Sequence, residues 1–230
     1  MSETELVGFS LFLATIVGLM AWGMVKHAKK DKERNRFLTS VGFIACKEEK
    51  ESLKEKISLL ENNSEYTYSV RLPMKLRQDN VDVYFYTKDR RRHGDLYVSY
   101  EFLFTANRKN NIPFQIYLKP GSIKTGVATK LISSSITINW DSQADDLVKI
   151  KLPSELSESN VLGLMAQKGC SLYDLFDSSA LSLLGLAGDN GIFTIRCRGN
   201  LCSIEEPRST DGWDYKKVWF VVLTLIRQGL

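Results

Sequence analysis

The 230-residue sequence predicts an α+β protein, built as an N-terminal transmembrane helix, a basic stalk and an antiparallel-sheet domain flanked by helices. Three observations carry that prediction. Leu6–Val25 is a run of twenty residues without a charge, strand-type alternation dominates from about Tyr66 to Ile150, and helix-period segments stand before and after it. Apolar residues make up 43% of the chain and charged residues 25%, which excludes a collagen, a mostly disordered chain and a disulfide-dense scaffold. A polytopic transporter is excluded too, because only one stretch is long and apolar enough to span a bilayer. The organisation expected is a short N-terminus over residues 1–5, a spanning helix over 6–25, a stalk over 26–36 and one α+β domain over 37–230.

Leu6–Val25 would extend about 30 Å as a helix, the thickness of a hydrocarbon core. Helix is the single-segment solution in lipid, where unpaired backbone groups find no partner. Trp22 suits the interfacial belt. A cleaved signal peptide is the rival reading, since Ala21-Trp22-Gly23 offers small residues at cleavage spacing. Against it, the first five residues carry Glu3 and Glu5 and no basic residue. Lys26, Lys29, Lys30, Lys32, Arg34 and Arg36 follow the run and are the candidate membrane-surface contacts, with only Asp31 and Glu33 between them. Basic flanks stay on the cytoplasmic side, so the N-terminus is expected outside and the body in the cytoplasm, at the cell's inner membrane. Ser10, Ala14 and Gly18 share one helix face, where small residues would permit helix self-association and a homo-oligomer.

Beyond the stalk, Leu53, Ile57 and Leu60 recur at i, i+4 and i+7 within a charged segment. That pattern predicts an amphipathic helix of about fifteen residues, stopped by Asn62-Asn63. Val81, Val83 and Phe85, then Leu96, Val98, Tyr100, Phe102 and Phe104, alternate with polar positions and predict a sheet with one apolar face. Lys88–Gly94 reads as the polar loop between them, with Tyr84, Tyr86 and Tyr97 near it on the outer face. Further strands are expected at Phe114–Leu118, Ile136–Trp140 and Leu147–Leu152. Leu172–Ala187 reads as a helix capped by Ser171, Gly191–Pro207 as a hairpin turning at Gly199-Asn200, and Trp213–Arg227 as a helix capped by Asp211.

Chemical motifs are scarce. Gly121–Gly126 is followed by Val127-Ala128, where a phosphate-binding loop needs Lys and Ser or Thr. His27 and His93 are too far apart in sequence for a His-driven site, so no catalytic residue, metal ligand or cofactor is assigned. Asp145-Asp146 and Asp174/Asp177 read as loop or cap carboxylates. The Arg90–Arg92 run could touch RNA or anionic lipid, but as a solvated loop it needs neither. Residues 37–230 carry 25 basic and 23 acidic side chains, too balanced for a nucleic-acid groove. Cys197 and Cys202 would face each other across the hairpin at disulfide distance. In a cytoplasmic body they are expected as free thiols.

In arrangement, with Gly42-Phe43 after the stalk and the strand Pro113-Phe114-Gln115-Ile116-Tyr117, the chain resembles uncharacterised bacterial single-pass membrane proteins. The resemblance implies a membrane-anchored α+β domain and carries over no functional residue. The function expected is a membrane-anchored cytoplasmic interaction or accessory module, partnered by the bilayer and by a protein. The alternatives are an enzyme acting on a membrane-proximal or lipid-linked substrate, and an exported domain released by cleavage near Gly23.

Overall fold

The computed structural model describes residues 3–108, 110–118, 144–152, 161–189, 194–207 and 214–228. The chain divides into two compact units, Met1–Gly42 and Phe43–Leu230.

In the first unit, helix α1 runs from Glu3 to Ser40 without a break. It includes the whole of Leu6–Val25 and continues through the basic segment, so the stalk is helical. Arg34 donates to Asp31 at 2.7 Å, an i,i+3 pair. Among the described residues, no helix is long and apolar enough to cross a membrane. Between Leu6 and Val25 only nine side chains are described, of which Phe12, Val17, Trp22 and Val25 are exposed. The transmembrane helix expected from the sequence is therefore not supported by the structure.

The second unit is α+β, with a nine-stranded antiparallel sheet among its described residues. In chain order these are β1 (Ile44–Ala45), α2 (Lys50–Glu61), β2 (Thr67–Gln78), β3 (Val81–Arg92), β4 (Asp95–Thr105), β5 (Phe114–Leu118), β6 (Val148–Ile150), β7 (Val161–Ala166), α3 (Leu172–Leu175), α4 (Ser178–Asp189), β8 (Thr194–Arg198), β9 (Leu201–Pro207) and α5 (Tyr215–Gln228). The spatial order of strands is β1-β2-β3-β4-β9-β8-β5-β7-β6.

The register builds two unlike faces. Phe85, Phe102, Ile204, Ile195, Ile116 and Leu164 pair strand to strand in one continuous apolar row. Aromatic packing covers this face: Phe43 lies 5.4 Å from Trp219, Phe102 6.1 Å from Trp219, and Phe114 4.9 Å from Phe176, between ring centroids. Helix α5 buries Val218, Val221, Val222 and Leu225 completely, each worth about 2 kcal/mol in apolar area removed from water. This is the apolar face the alternation predicts.

The other face is not an outer face. Leu53, Ile57 and Leu60 of α2 pack there on Tyr68, Val70, Tyr84, Tyr86 and Leu103. Tyr84 and Tyr86 are thus buried, and only Tyr97 of the three tyrosines is exposed. Helix α2 ends as the sequence predicts, at Asn62 in the left-handed conformation (φ 44°), its N–H donating to the Ser58 carbonyl.

Four local expectations need correction. Lys88–Gly94 is not a loop, because β3 continues to Arg92 and the turn is only His93-Gly94, both at positive φ (48° and 93°). Leu172–Ala187 is two helices, α3 and α4, because Phe176 turns extended (ψ 132°) and buries its ring. In α5 the first-turn cap is Asp214, which accepts from the Val218 and Lys217 N–H groups, while Asp211 lies outside the described residues. Cys197 and Cys202 face each other as predicted, with Cα atoms 4.2 Å apart, but their sulfurs form a disulfide and are not free thiols. The expected strand Ile136–Trp140 and the segment Gly121–Gly126 also lie outside the described residues.

Candidate functional site

The strongest concentration of chemistry lies on the α2 side of the sheet, where six ionised side chains converge with almost no solvent. The register explains how they meet. Tyr86, Glu101, Glu205, Thr194 and Tyr117 form one cross-sheet row, and Leu103, Ser203, Arg196 and Gln115 form part of the adjacent row on the same face. Lys88 and Arg90 extend β3 on this face, and Glu61 enters from the last residue of α2.

Lys88 is the centre. Its Nζ donates to Glu61 and lies 3.2 Å from Glu101 Oε2 and 3.4 Å from Glu205 Oε2. Arg196 donates to Glu205 and lies 3.5 Å from Glu61 and 3.9 Å from Glu101. Arg90 reaches Glu61 at 4.0 Å, its guanidinium stacked 4.8 Å from the Tyr66 ring and 5.2 Å from the Tyr97 ring. The Tyr86 hydroxyl donates to Glu101 Oε2 at 2.9 Å, and Gln115 Nε2 donates to the Tyr117 hydroxyl at 2.7 Å. Lys88, Glu61 and Glu101 side chains are at most 1% exposed.

The electrostatics split the carboxylates. Burial raises Glu205, but Arg196 and Lys88 more than offset it and hold it well below the usual carboxylate range. Burial likewise raises Glu61, and Arg196 and Lys88 bring it below its ordinary value. Glu101 ends above its ordinary value, since burial is joined by repulsion from Glu205 and Glu61. Glu101 is therefore the member that most readily takes a proton. Burial lowers Lys88, yet Glu101, Glu205 and Glu61 together keep it raised and charged.

Carboxylate oxygens of Glu61, Glu101 and Glu205 lie within 4.8 Å of one another, a spacing that a divalent cation would suit. The Lys88 ammonium takes that position, within reach of one oxygen from each. Three carboxylates against Lys88, Arg90 and Arg196 balance without any added ion. Removing one member would strand a buried charge, whereas the intact set mainly fixes which residues may face which. The arrangement locks the end of α2 onto β3, β4, β8 and β9.

The residues assigned from sequence lie elsewhere. Ser10, Ala14, Gly18, Lys26, Lys29, Lys30, Lys32, Arg34 and Arg36 are all on α1. Ser10, Ala14 and Gly18 sit four residues apart there. Lys29, Lys32 and Arg36 are exposed, Lys30 is half-buried and Arg34 is buried. The weighed carboxylates hold structure together. Asp174 accepts from the Ser171 N–H and hydroxyl at 2.7 and 2.8 Å, and Asp177 accepts from the Ala180 N–H at 2.9 Å. Asp146 receives both Arg198 guanidinium nitrogens at 2.6 and 2.7 Å. Cys46 is buried, and burial pushes its thiol up to about 11, which suits packing and not nucleophilic attack.

Sequence reading missed Glu61, Lys88, Arg90, Glu101, Arg196 and Glu205 as a group. The usable signal was phase: Lys88 and Arg90 continue the Tyr84–Tyr86 phase, and Glu101 continues that of Leu103. Charges of both signs in phase with buried aromatics on neighbouring strands indicate a covered face.

Comparison with known protein families and with curated sequences finds no match. Among solved structures, the chain is similar to the mycobacterial trehalose monomycolate transport factor A, TtfA, at a TM-score of 0.51 and 11% identity. The match covers 86% of this chain and 90% of that one. At that identity the likeness is one of fold.

Proposed function

We propose that this protein is a membrane-anchored accessory module, its α+β body held at the membrane surface by α1 and acting through a protein partner. The observation that carries this reading is Leu6–Val25, twenty uncharged residues inside one continuous helix and followed directly by six basic residues. Lys26, Lys29, Lys30, Lys32, Arg34 and Arg36 would then meet anionic headgroups, each adding about 1 kcal/mol near the surface. Ser10, Ala14 and Gly18 would offer a close-packing face to a second helix. The architectural likeness to a protein named as a transport factor supports an accessory role over a catalytic one. So does the cluster at Lys88, whose charges are satisfied by one another and present no open reactive group.

The expected direction is N-terminus outside and body in the cytoplasm, from the basic flank. One observation favours the opposite reading: the Cys197–Cys202 disulfide, a bond that persists in oxidising compartments. Alkylation of intact cells before lysis, followed by mass spectrometry, separates the two. Alkylated Cys197 and Cys202 support a cytoplasmic body, and an intact bond in the native membrane places the body on the exported side.

The accessory role itself is tested by cross-linking the full chain in its native membrane. A single predominant protein partner, recovered in stoichiometric amount, is the expected result. A chain that cross-links to no protein and turns over a membrane lipid when purified would make it an enzyme instead.

A further inference from the structure

We propose that the outer edge of β2 is an interface, which pairs antiparallel with the same edge of a second copy of this chain. Strand β2 runs over Thr67–Gln78 and pairs with β3 along nearly its whole length. On its other side β1 covers only Met74 and Lys75. The outer edge of Thr67–Arg71 therefore carries no strand among the described residues, and Thr67 and Arg71 are exposed there. An edge of this kind offers backbone N–H and C=O groups to any extended segment that fits.

The limits of the open stretch are set by the chain itself. Leu72 takes positive φ (51°) within a bulge between Arg71 and Met74, and Pro73 has no N–H to give. The Pro73 carbonyl accepts from the Cys46 N–H at 3.0 Å, where β1 takes over. New pairing is thus confined to Thr67–Arg71.

The side chains choose the occupant. Tyr68 and Val70 lie on the α2 side, in one cluster with Leu53 and Ile57, whereas Ser69 and Arg71 lie on the other side, where both meet Asp89. An added strand must alternate in the same phase, apolar toward α2 and polar away from it. The β2 strand of a second copy meets that demand. A two-fold axis through Ser69, perpendicular to the sheet, sets Ser69 against Ser69, Tyr68 against Val70 and Thr67 against Arg71. No like charges then stand opposite each other, because Arg71 meets a threonine and its own charge is taken up by Asp89 at 2.6 Å. The contact is self-complementary and closes on itself, and the bulge and β1 stop it from spreading along the edge.

The test is oxidative cross-linking of cysteine variants of the full-length chain in native membranes. The parent, whose Cys46 and Cys170 are unbonded, sets the background. In the proposed register two Ser69 Cα atoms lie about 4.5–5.5 Å apart, within disulfide reach. Two Thr67 Cα atoms lie about 14 Å apart, because they stand four residues out of register. S69C should therefore give about tenfold more disulfide-linked dimer than T67C, although Thr67 is the more exposed of the two. The S69C dimer should persist when G18L blocks the small-residue face of α1, which separates this contact from the membrane reading. Failure of S69C to cross-link overturns the proposal, as does equal cross-linking of T67C, the mark of random collision. Loss of the S69C dimer in G18L overturns it by assigning the association to α1. A mixed disulfide between S69C and another protein, in place of the dimer, overturns the second copy as occupant.

Discussion

Replacing Lys88 by Met tests the buried cluster most severely. The substitution keeps length and apolar stem and removes only the ammonium. At 3.2 and 3.4 Å, each Lys88–carboxylate contact is worth about 5 kcal/mol in gross Coulomb energy at an effective dielectric of about 20. Desolvation of the ions opposes this by several kcal/mol each, so the intact cluster adds little net stability. The variant changes that balance, because Glu61, Glu101 and Glu205 then face only Arg196 and Arg90 and one negative charge is stranded. Breaking a buried pair in this way costs about 3–5 kcal/mol, or roughly 10 °C in Tm for a domain of this size. Glu101 already sits above its ordinary value and would take up a proton to relieve the excess. Adding Glu101→Gln to K88M should therefore recover about 2 kcal/mol, seen as positive coupling in a double-mutant cycle. The assay is urea unfolding followed by tryptophan fluorescence, on the full chain in mild detergent. A K88M variant within about 1 kcal/mol of the parent, with no coupling to E101Q, would refute the cluster as described.

Two further outcomes follow from the same structure. Stability should fall as pH drops below about 4.3, the ordinary glutamate value. Glu61 and Glu205 are held below it in the fold, so their contribution is complete above that pH and is lost as pH falls through their folded values. Glu101 acts in the opposite sense, weakening the fold as pH rises from about 4.3 toward its raised value. Urea midpoints from pH 7 to pH 3 should thus fall more steeply in E101Q than in the parent, and parallel curves would contradict the assignment. The C197S/C202S variant should lose about 2 kcal/mol against the oxidised parent, because the bond closes only a short loop. Against the reduced parent it should lose little, and equal unfolding midpoints under oxidising conditions would show that the bond does not form.

The apolar half of the fold was readable because its signal is periodic and local. Phe85, Phe102 and Phe104 alternate with polar residues, and Gly199-Asn200 sets the β8–β9 register, placing Cys197 opposite Cys202. Helix α2 was readable from Leu53, Ile57 and Leu60 and from the break at Asn62. The second face was not, because Lys88 and Arg90 look like part of a solvated loop until Glu61, Glu101 and Glu205 arrive from three other elements. Those partners are 13 to more than 100 residues away in sequence, and charge pairing across such distances leaves no periodic trace. The split at Phe176 was hidden for a related reason, since the Phe176 ring packs on Phe114 of a distant strand. Local helix periodicity cannot anticipate that contact.

The most direct test of the account as a whole is alkaline carbonate extraction of native membranes holding the full-length chain. Burial of Leu6–Val25 in lipid would release far more free energy than the basic residues of α1 contribute at the surface. The full chain should therefore remain in the pellet after carbonate and high-salt washes, while a chain lacking residues 1–36 should appear in the supernatant. Recovery of the full-length chain in the supernatant would contradict the membrane anchor, and with it the proposed role.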